Sequence, residues 1–365
     1  MLLSPVGLPL DQLDTPALLL DLDAFEANVR TMAGHLASRG VQWRPHAKAF
    51  KSPAIAHQLR KAGAIGVTVA KVSEAEVMAS AGVEDILIAH MVVGPSKVAR
   101  LAALQRRGDV KATADHPDQM GAMGSAAVQA GVEVGILVDV DLGMRRCGVR
   151  SSGAAVDLAR RVSGTPGLRF DGLMGYEGHT LFIPDPEAKR RAIDEAIGRL
   201  LEAKEAVEGA GLACRIVSAG GSGSYQITAD IPGITELQAG GGVFACRYYT
   251  EICRVAGHRP AIAVLATVVS RPEPDRAILD IGRKSISDFQ TPPVVAKHPG
   301  CQVLGLSAEH ATVEVAQDES LNIGDRVQVI PGYSDFTFVL HDRILAHRNG
   351  RVEACWPLLG RGMLQ

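Results

Sequence analysis

Between residues 41 and 240 the chain alternates short apolar runs with longer segments whose apolar positions recur every three or four residues. The short runs, 41–46, 65–70, 85–90, 111–115, 134–139, 170–176, 215–219 and 235–240, are rich in valine, isoleucine and leucine and read as buried strands. The longer ones, 53–62, 73–80, 96–107, 117–130, 152–163 and 187–210, predict helices. Ser73-Glu74-Ala75-Glu76, ahead of Val77 and Met78, is the polar opening expected at a helix start. Strand–helix repetition implies a parallel sheet, and eight strand candidates with crossover helices predict a (β/α)8 TIM barrel, the open doubly wound sheet being the alternative. After about residue 250 the pattern changes. Segments 261–270, 276–281, 302–306, 311–316, 326–330, 336–340 and 351–356 are short, β-rich and separated by turns, which predicts a smaller C-terminal all-β domain. The expected division is a barrel over 23–250 and a β-domain over 251–365. The N-terminal strand within 1–22, Ala17 to Leu22, is assigned to the β-domain, and a helix at 24–38 leads into the barrel.

Composition narrows the function without naming it. The 365 residues are 47% hydrophobic and 21% charged with a net charge of -2, and no basic stripe interleaved with aromatics is present, so nucleic acid is not expected as a partner. No run approaches the roughly 20 apolar residues of a membrane span, and the N-terminus lacks the basic and apolar regions of a signal peptide. Cys147, Cys214, Cys246, Cys253, Cys301 and Cys355 are scattered without C-x-x-C pairs, which argues against a disulfide framework or zinc ribbon. A cytoplasmic protein with a small-molecule substrate is the expectation.

The candidate chemistry clusters at predicted strand ends. Lys48 follows the first barrel strand, and cationic neighbours at Arg44, His46 and Lys51 would lower its pKa toward the nucleophilic amine of a Schiff-base lysine; a solvated basic loop is the alternative. The seventh strand, Arg215 to Ser218, runs into Ala219-Gly220-Gly221-Ser222-Gly223-Ser224, and the eighth ends in Gln238-Ala239-Gly240-Gly241-Gly242. Glycines let the backbone approach a phosphate, consecutive amides form an anion nest, and barrel phosphates commonly sit after strands seven and eight. A lysine on strand one with two such loops suits pyridoxal 5′-phosphate (PLP), which has a phosphate at one end and an aldehyde at the other. Arg146, in Asp141-Leu142-Gly143-Met144-Arg145-Arg146-Cys147-Gly148, could donate to the cofactor ring or pair with Asp141. In Gly175-Tyr176-Glu177-Gly178-His179, Tyr176 can pack on the ring and His179 is placed for acid–base work, with a buried satisfied histidine as the alternative.

Taken together, Arg44-Pro45-His46-x-Lys48, the Asp141-to-Gly148 run, Tyr176-Glu177-Gly178-His179, Ser218-x-Gly220-Gly221-Ser222-Gly223-Ser224 and Thr235-Glu236-Leu237-Gln238-Ala239-Gly240 resemble the D-threonine aldolase and D-serine dehydratase-like enzymes. These are fold-type III PLP enzymes related to alanine racemase, and the likeness runs from Asp14-Thr15-Pro16 to Trp356-Pro357. The resemblance implies a PLP barrel, a β-domain that completes the active site, a D-amino acid with a β-hydroxyl as substrate, and a homodimer. It carries over Lys48 as the Schiff-base lysine. His46, Arg146, Tyr176, Ser218, Gln238, Gly240, Gly241 and the 220–224 cradle carry over as cofactor contacts. It also implies a divalent metal (Mn, Mg or Zn) in a Pro-x-His-x-Asp or Pro-x-His-x-Cys motif. Here Pro331-Gly332-Tyr333-Ser334-Asp335 matches the aspartate version, that of the aldolases, with Tyr333 in the histidine position. Phe50 stands where relatives usually carry the histidine of Lys-Thr-His-Lys. A phenol with a pKa of about 10 is a poor metal ligand. Either metal binds through Asp335 with other groups, or Tyr333 replaces it in acid–base work.

The leading expectation is therefore retro-aldol cleavage of a D-β-hydroxy-α-amino acid, such as D-threonine or 3-hydroxy-D-aspartate, to glycine and an aldehyde, with Lys48, His179 and Tyr333 catalytic. Alternatives are dehydratase-type β-elimination to a 2-oxo acid and ammonia, an amino-acid racemase, and a non-catalytic PLP carrier. Arg145, Arg247 and Arg283 are candidate partners for a second substrate carboxylate, with an ordinary surface role as the alternative for each.

Overall fold

Strand–helix alternation becomes eight parallel strands in the computed structural model, which describes residues 4–365. The chain divides into two compact units, one of residues 32–48, 55–240 and 362–365, the other of the residues up to Thr31 with 49–54 and 241–361. Ahead of the parallel strands come β1 (Ala17–Asp21) and α1 (Leu22–Ala37). The strands themselves are β2 (Gln42–Trp43), β3 (Val67–Val69), β4 (Asp85–Met91), β5 (Asp109–Ala114), β6 (Val134–Val140), β7 (Leu168–Gly175), β8 (Ile216–Ala219) and β9 (Glu236–Leu237). Between them run α2 (Pro53–Lys61), α3 (Val72–Ser80), α4 (Pro95–Leu104), α5 (Asp118–Ala130), α6 (Ser152–Ser163), α7 (Pro186–Gly209) and the single turn α8 (Tyr225–Thr228).

The sheet order is β2-β9-β8-β7-β6-β5-β4-β3, and its two ends meet. Ile65 N–H donates to the Trp43 carbonyl at 2.9 Å and Thr68 N–H to Pro45 at 3.0 Å, so the sheet closes as a barrel and does not stay open. Every residue of β6 is buried, as expected for a parallel strand covered on both faces. Helix boundaries follow local chemistry. Ser151 accepts from Ala154 N–H at 3.2 Å to cap α6, Asp185 accepts from Ala188 N–H at 2.7 Å to cap α7, and Gly131 takes the left-handed conformation that ends α5. Along α7, Ile193, Ile197, Leu200 and Val207 form the buried stripe anticipated from their spacing. The Glu74 carboxylate accepts the Ala70 and Lys71 amides at 2.7 and 3.0 Å, which explains the polar start of α3.

An arginine pins the seam. Arg44, 2% exposed, donates from its backbone to Leu237 on β9, while its guanidinium meets both Glu236 oxygens at 3.1 Å and Asp85 at 2.7 and 3.3 Å. Lys111 adds a second cation to Asp85 at 2.9 Å. Burial pushes the Asp85 carboxyl up, but Arg44 and Lys111 together outweigh it and hold the group below its usual range.

In the other unit, β10 (Ile262–Glu273), β11 (Arg276–Leu279), β12 (Val294–Val295), β13 (Cys301–Leu306), β14 (Ala311–Val315), β15 (Arg326–Ile330), β16 (Arg343–Arg348) and β17 (Arg351–Pro357) join β1 in one nine-stranded sheet. Its order is β11-β14-β13-β12-β15-β10-β1-β16-β17, and β10 also pairs with β11, so six strands close on themselves. β1 lies antiparallel to β10 and parallel to β16. One expected strand is absent: 336–340 lies on a short helix, α9 (Ser334–Phe338). The alternation Phe336-Thr337-Phe338 reads as β, but the Thr337 hydroxyl bonds the Tyr333 carbonyl at 2.9 Å and receives Ser287 N–H at 3.2 Å, and those bonds hold a helical turn. Strands β12 and β16 were not anticipated, the first for its brevity and the second because Arg343 and His347 interrupt its apolar run.

Arg44→Met leaves Glu236 charged, buried and without its cation. Loss of one partner from such a network costs about 3–5 kcal/mol, so urea denaturation followed by circular dichroism is expected to show a drop of that order. Adding Glu236→Gln is expected to recover part of it.

Candidate active site

Beyond β2 the chain continues beside the end of β9, with His46 N–H bonded to the Gln238 carbonyl at 3.1 Å, and then makes a single 3-10 turn, Ala47–Ala49. That turn places Lys48, whose side chain is exposed and whose Nζ lies 6.0 Å from the centre of the Tyr176 ring. Lys48 N–H points at His46 Nδ1, 3.4 Å away. The close approach of His46 demands glycine at 240: a Cβ there would lie 2.5 Å from the His46 carbonyl oxygen. Arg44 does not serve as the cationic neighbour expected for Lys48, because its charge is spent on Glu236 and Asp85.

Tyr176 is half-buried at the end of β7 and is framed by glycine backbone. A Cβ on Gly178 would sit 2.5 Å from its ring and one on Gly221 2.9 Å, so both positions require glycine for the ring to lie flat between them. The glycine loop after β8 turns at Gly220, whose φ is +71°. Three of its amides are satisfied from within, which corrects the picture of one continuous anion nest: Gly220 N–H donates to Glu177 at 3.3 Å, Gly221 N–H to the Ser224 hydroxyl at 3.2 Å and Ser224 N–H to the Gly221 carbonyl at 3.1 Å. Ser222, Gly223 and Ser224 complete the turn into α8. Ser218 is fully buried, its hydroxyl accepting from the Gln238 amide at 2.9 Å. An exposed amine, a ring seated between glycines and a glycine turn at neighbouring strand ends fit PLP, with Lys48 to hold the aldehyde and 222–224 the phosphate.

Glu177 is the residue that sequence reasoning passed over. It is wholly buried, accepts the Thr228 hydroxyl at 2.7 Å as well as the Gly220 amide, and so ties the glycine turn to the strand end that carries Tyr176. A glutamate between Tyr176 and Gly178 gives no sign in sequence that it faces inward. His179 follows in a short 3-10 turn and is exposed, not buried. Its ring stands over Gly143, where a Cβ would approach it to 2.9 Å.

The loop after β6 returns on itself through Val149 N–H to the Asp139 carbonyl at 2.9 Å. Asp141 accepts the Gly143 and Arg145 amides at 3.1 and 2.9 Å and pairs with Arg150, so the alternative pairing of Arg146 with Asp141 does not form; Arg146 is exposed. Asp139 is buried behind it. Burial first, then the nearby Asp115 charge, pushes the Asp139 carboxyl up to about 7 against the opposing pull of Arg146.

In the β-rich unit, Asp335 is buried and receives the Tyr333 hydroxyl at 2.9 Å and the Tyr249 hydroxyl at 3.4 Å. Tyr333 stands among aromatic rings, with Tyr248, Phe336, Phe289 and Tyr249 centred 4.9, 5.2, 5.8 and 6.1 Å away. Gly241 lies close against Tyr249: a Cβ there would lie 2.2 Å from that hydroxyl. Phenol donors already occupy both Asp335 oxygens, and Asp335 belongs to no cluster of three metal-competent donors among the described residues. With a phenol in place of a second strong donor, Asp335 is the one good ligand of this pair, which makes it a poor site for a divalent metal. Of the arginines considered for a second carboxylate, Arg247 is bound to Glu251 and the Pro292 carbonyl and Arg283 to Asp288.

Comparison with known proteins agrees with this geometry. The family "alanine racemase, N-terminal domain" matches residues 20–247, and a serine dehydratase domain matches residues 261–347. A D-threonine aldolase from Arthrobacter sp. is 36% identical over 359 residues, 98% of this chain and 95% of that protein. A 3-hydroxy-D-aspartate aldolase from Paracoccus denitrificans is 35% identical over 365 residues, 98% of this chain and 94% of that one. The crystal structure of D-threonine aldolase from Filomicrobium marinum matches with a TM-score of 0.97 at 36% identity, each chain covered in full.

The raised carboxyl of Asp139 makes a pH prediction. The native chain keeps this proton up to about pH 7, whereas the unfolded chain releases it near 4. The group's contribution to stability is thus present at low pH and lost as pH rises through about 7. Asp139→Asn removes the ionisation, so its thermal midpoint is expected to gain more over the parent at pH 8 than at pH 5, as read by differential scanning calorimetry.

Proposed function

We propose the reaction from one fact: this chain belongs to the family that joins an alanine racemase N-terminal domain to a D-serine dehydratase-like domain. It is a PLP-dependent carbon–carbon lyase that cleaves a D-β-hydroxy-α-amino acid to glycine and an aldehyde. The observation that carries the reading is the exposed Lys48 amine poised 6.0 Å above Tyr176 at the barrel strand ends, in a chain alike over its whole length to aldolases. When bound, the cofactor supplies the electron sink for the pair left at Cα as the Cα–Cβ bond breaks.

The residues divide the work. Lys48 would hold the cofactor aldehyde through its side-chain amine. Tyr176, closely flanked by Gly178 and Gly221, would pack against the cofactor ring. Ser222, Gly223 and Ser224 would take the phosphate, Glu177 buttresses that turn, and Arg146 would donate to the cofactor ring. We assign residues 23–250 as the cofactor-binding module, and 251–365 with 1–22 as the module that supplies Tyr333 and Asp335. The Tyr333 phenol oxygen takes the β-hydroxyl proton while its own proton passes to Asp335, 2.9 Å away. Such general-base help is worth roughly 10²–10⁴ in rate. His179 is the second acid–base group. Arg247 and Arg283 are engaged with carboxylates of the chain itself, which leaves the exposed Arg145 as the candidate partner for a second substrate carboxylate of the 3-hydroxy-D-aspartate kind. We place the enzyme in the cytoplasm as a homodimer; a monomer in sedimentation equilibrium would overturn the second of these.

Mass spectrometry of the PLP-loaded protein is expected to show glycine and acetaldehyde from D-threonine, and glycine and glyoxylate from 3-hydroxy-D-aspartate. A 2-oxo acid with ammonia would make it a dehydratase instead. Lys48→Ala is expected to lose both turnover and the cofactor's lysine-bound absorbance. Tyr333→Phe is expected to retain that absorbance and lose roughly 10²–10⁴ in kcat. Tyr333→His restores the family's His-x-Asp donor pair, and its turnover is expected to rise with added Mn²⁺ where that of the parent does not.

A further inference from the structure

Among the described residues one group of three metal-competent side chains comes together, and the aldolase reading uses none of them: His298, Cys301 and Glu319. Their ligand atoms all lie within 4.8 Å of one another. His298 sits in the loop between β12 and β13, Cys301 opens β13, and Glu319 follows β14. Two backbone bonds bring the second loop back to the first, from Ala316 N–H to the Gly300 carbonyl and from Glu319 N–H to the Ala316 carbonyl, both at 3.0 Å. Glycine at 300 is what permits the approach, since a Cβ there would lie 2.8 Å from Glu319 Cγ.

We propose that His298, Cys301 and Glu319 bind a zinc-type divalent cation through one nitrogen, one sulfur and one oxygen, leaving the fourth tetrahedral position for water. The donor set selects the metal. Calcium and magnesium take oxygen ligands, whereas zinc binds imidazole, thiolate and carboxylate alike. Bond lengths of 2.0–2.3 Å at tetrahedral angles place ligand atoms about 3.3–3.7 Å apart. His298 Nδ1 and Glu319 Oε2, now 2.8 Å apart, must open slightly and the sulfur must close by at most about an ångström, within reach of side-chain rotation. The carboxylate is already oriented as metal-bound carboxylates are, its other oxygen held by Gly300 N–H at 3.1 Å. Cys301 is 4% exposed while the His298 and Glu319 side chains are 29% and 15% exposed, which gives a buried thiolate ligand and an entry path from solvent. Burial first, then the Glu319 charge, raises the Cys301 thiol, so the metal must displace its proton and binding strengthens as pH rises. The bound ion would cross-link the 296–300 loop to the 316–319 turn.

The test uses PLP-loaded full-length protein stripped with chelator and titrated with Co²⁺, whose visible ligand-field bands lie at longer wavelength than the cofactor's absorption. One equivalent is expected to give the intense bands of a tetrahedral thiolate site, abolished by an equivalent of Zn²⁺. Cys301→Ser is expected to lose those bands, and His298→Gln, on the surface, to weaken binding at least tenfold, both with aldolase turnover unchanged. A parent protein without such bands, or bands that survive undiminished in Cys301→Ser, would overturn the site. Neither result would bear on the aldolase reading, which is scored by glycine and aldehyde.

Discussion

Closing a parallel sheet into a barrel requires the first strand to find the last, and in this protein a buried guanidinium makes that join. Arg44 bonds the backbone of β9 and grips Glu236 from the same strand and Asp85 from β4, so three strands are fixed by one side chain. Arginine suits the place because its planar fork meets two carboxylates at once and keeps its charge. Its partners are needed equally, since a guanidinium that is 2% exposed would otherwise be uncompensated. Lys48 lies four residues further on, past the point where His46 bonds the end of β9, so its position is inherited from the same closure.

Around Lys48 the arrangement is governed by backbone approach more than by charge. Tyr176 lies flat because Gly178 and Gly221 offer no Cβ on either side, and His46 reaches the last strand because Gly240 offers none. Glu177 is hidden beneath the glycine turn and bonded to Gly220 and Thr228. The cofactor's place is thus shaped by what is missing from side chains as much as by what is present.

Asp335 shows a different economy. With phenols from Tyr333 and Tyr249 as its partners, its negative charge is met by two neutral hydrogen-bond donors. A hydroxyl that donates to a carboxylate is also a path for a proton, and on the proposed mechanism tyrosine in the histidine position would supply acid–base chemistry while giving up a good metal ligand.

Most barrel strands and helices were legible in the sequence because burial on both faces and periodic stripes are local signals, read from residues a few positions apart. Lys48, the two glycine loops and the Tyr333–Asp335 pair were visible for the same reason: each is a short run of unusual residues. What could not be read were partnerships between distant positions. Arg44 looked like a neighbour that would tune Lys48 and is in fact the partner of Glu236, 192 residues away. Glu177 gave no sign of supporting Gly220, nor Phe336-Thr337-Phe338 of turning helical, because the hydrogen bonds responsible come from Thr228 and Ser287. Periodicity determines which face of an element is apolar, and so the sequence by itself settled the architecture and the kind of chemistry. Which buried charge meets which counter-charge depends on the barrel closing, and only the tertiary structure decided it.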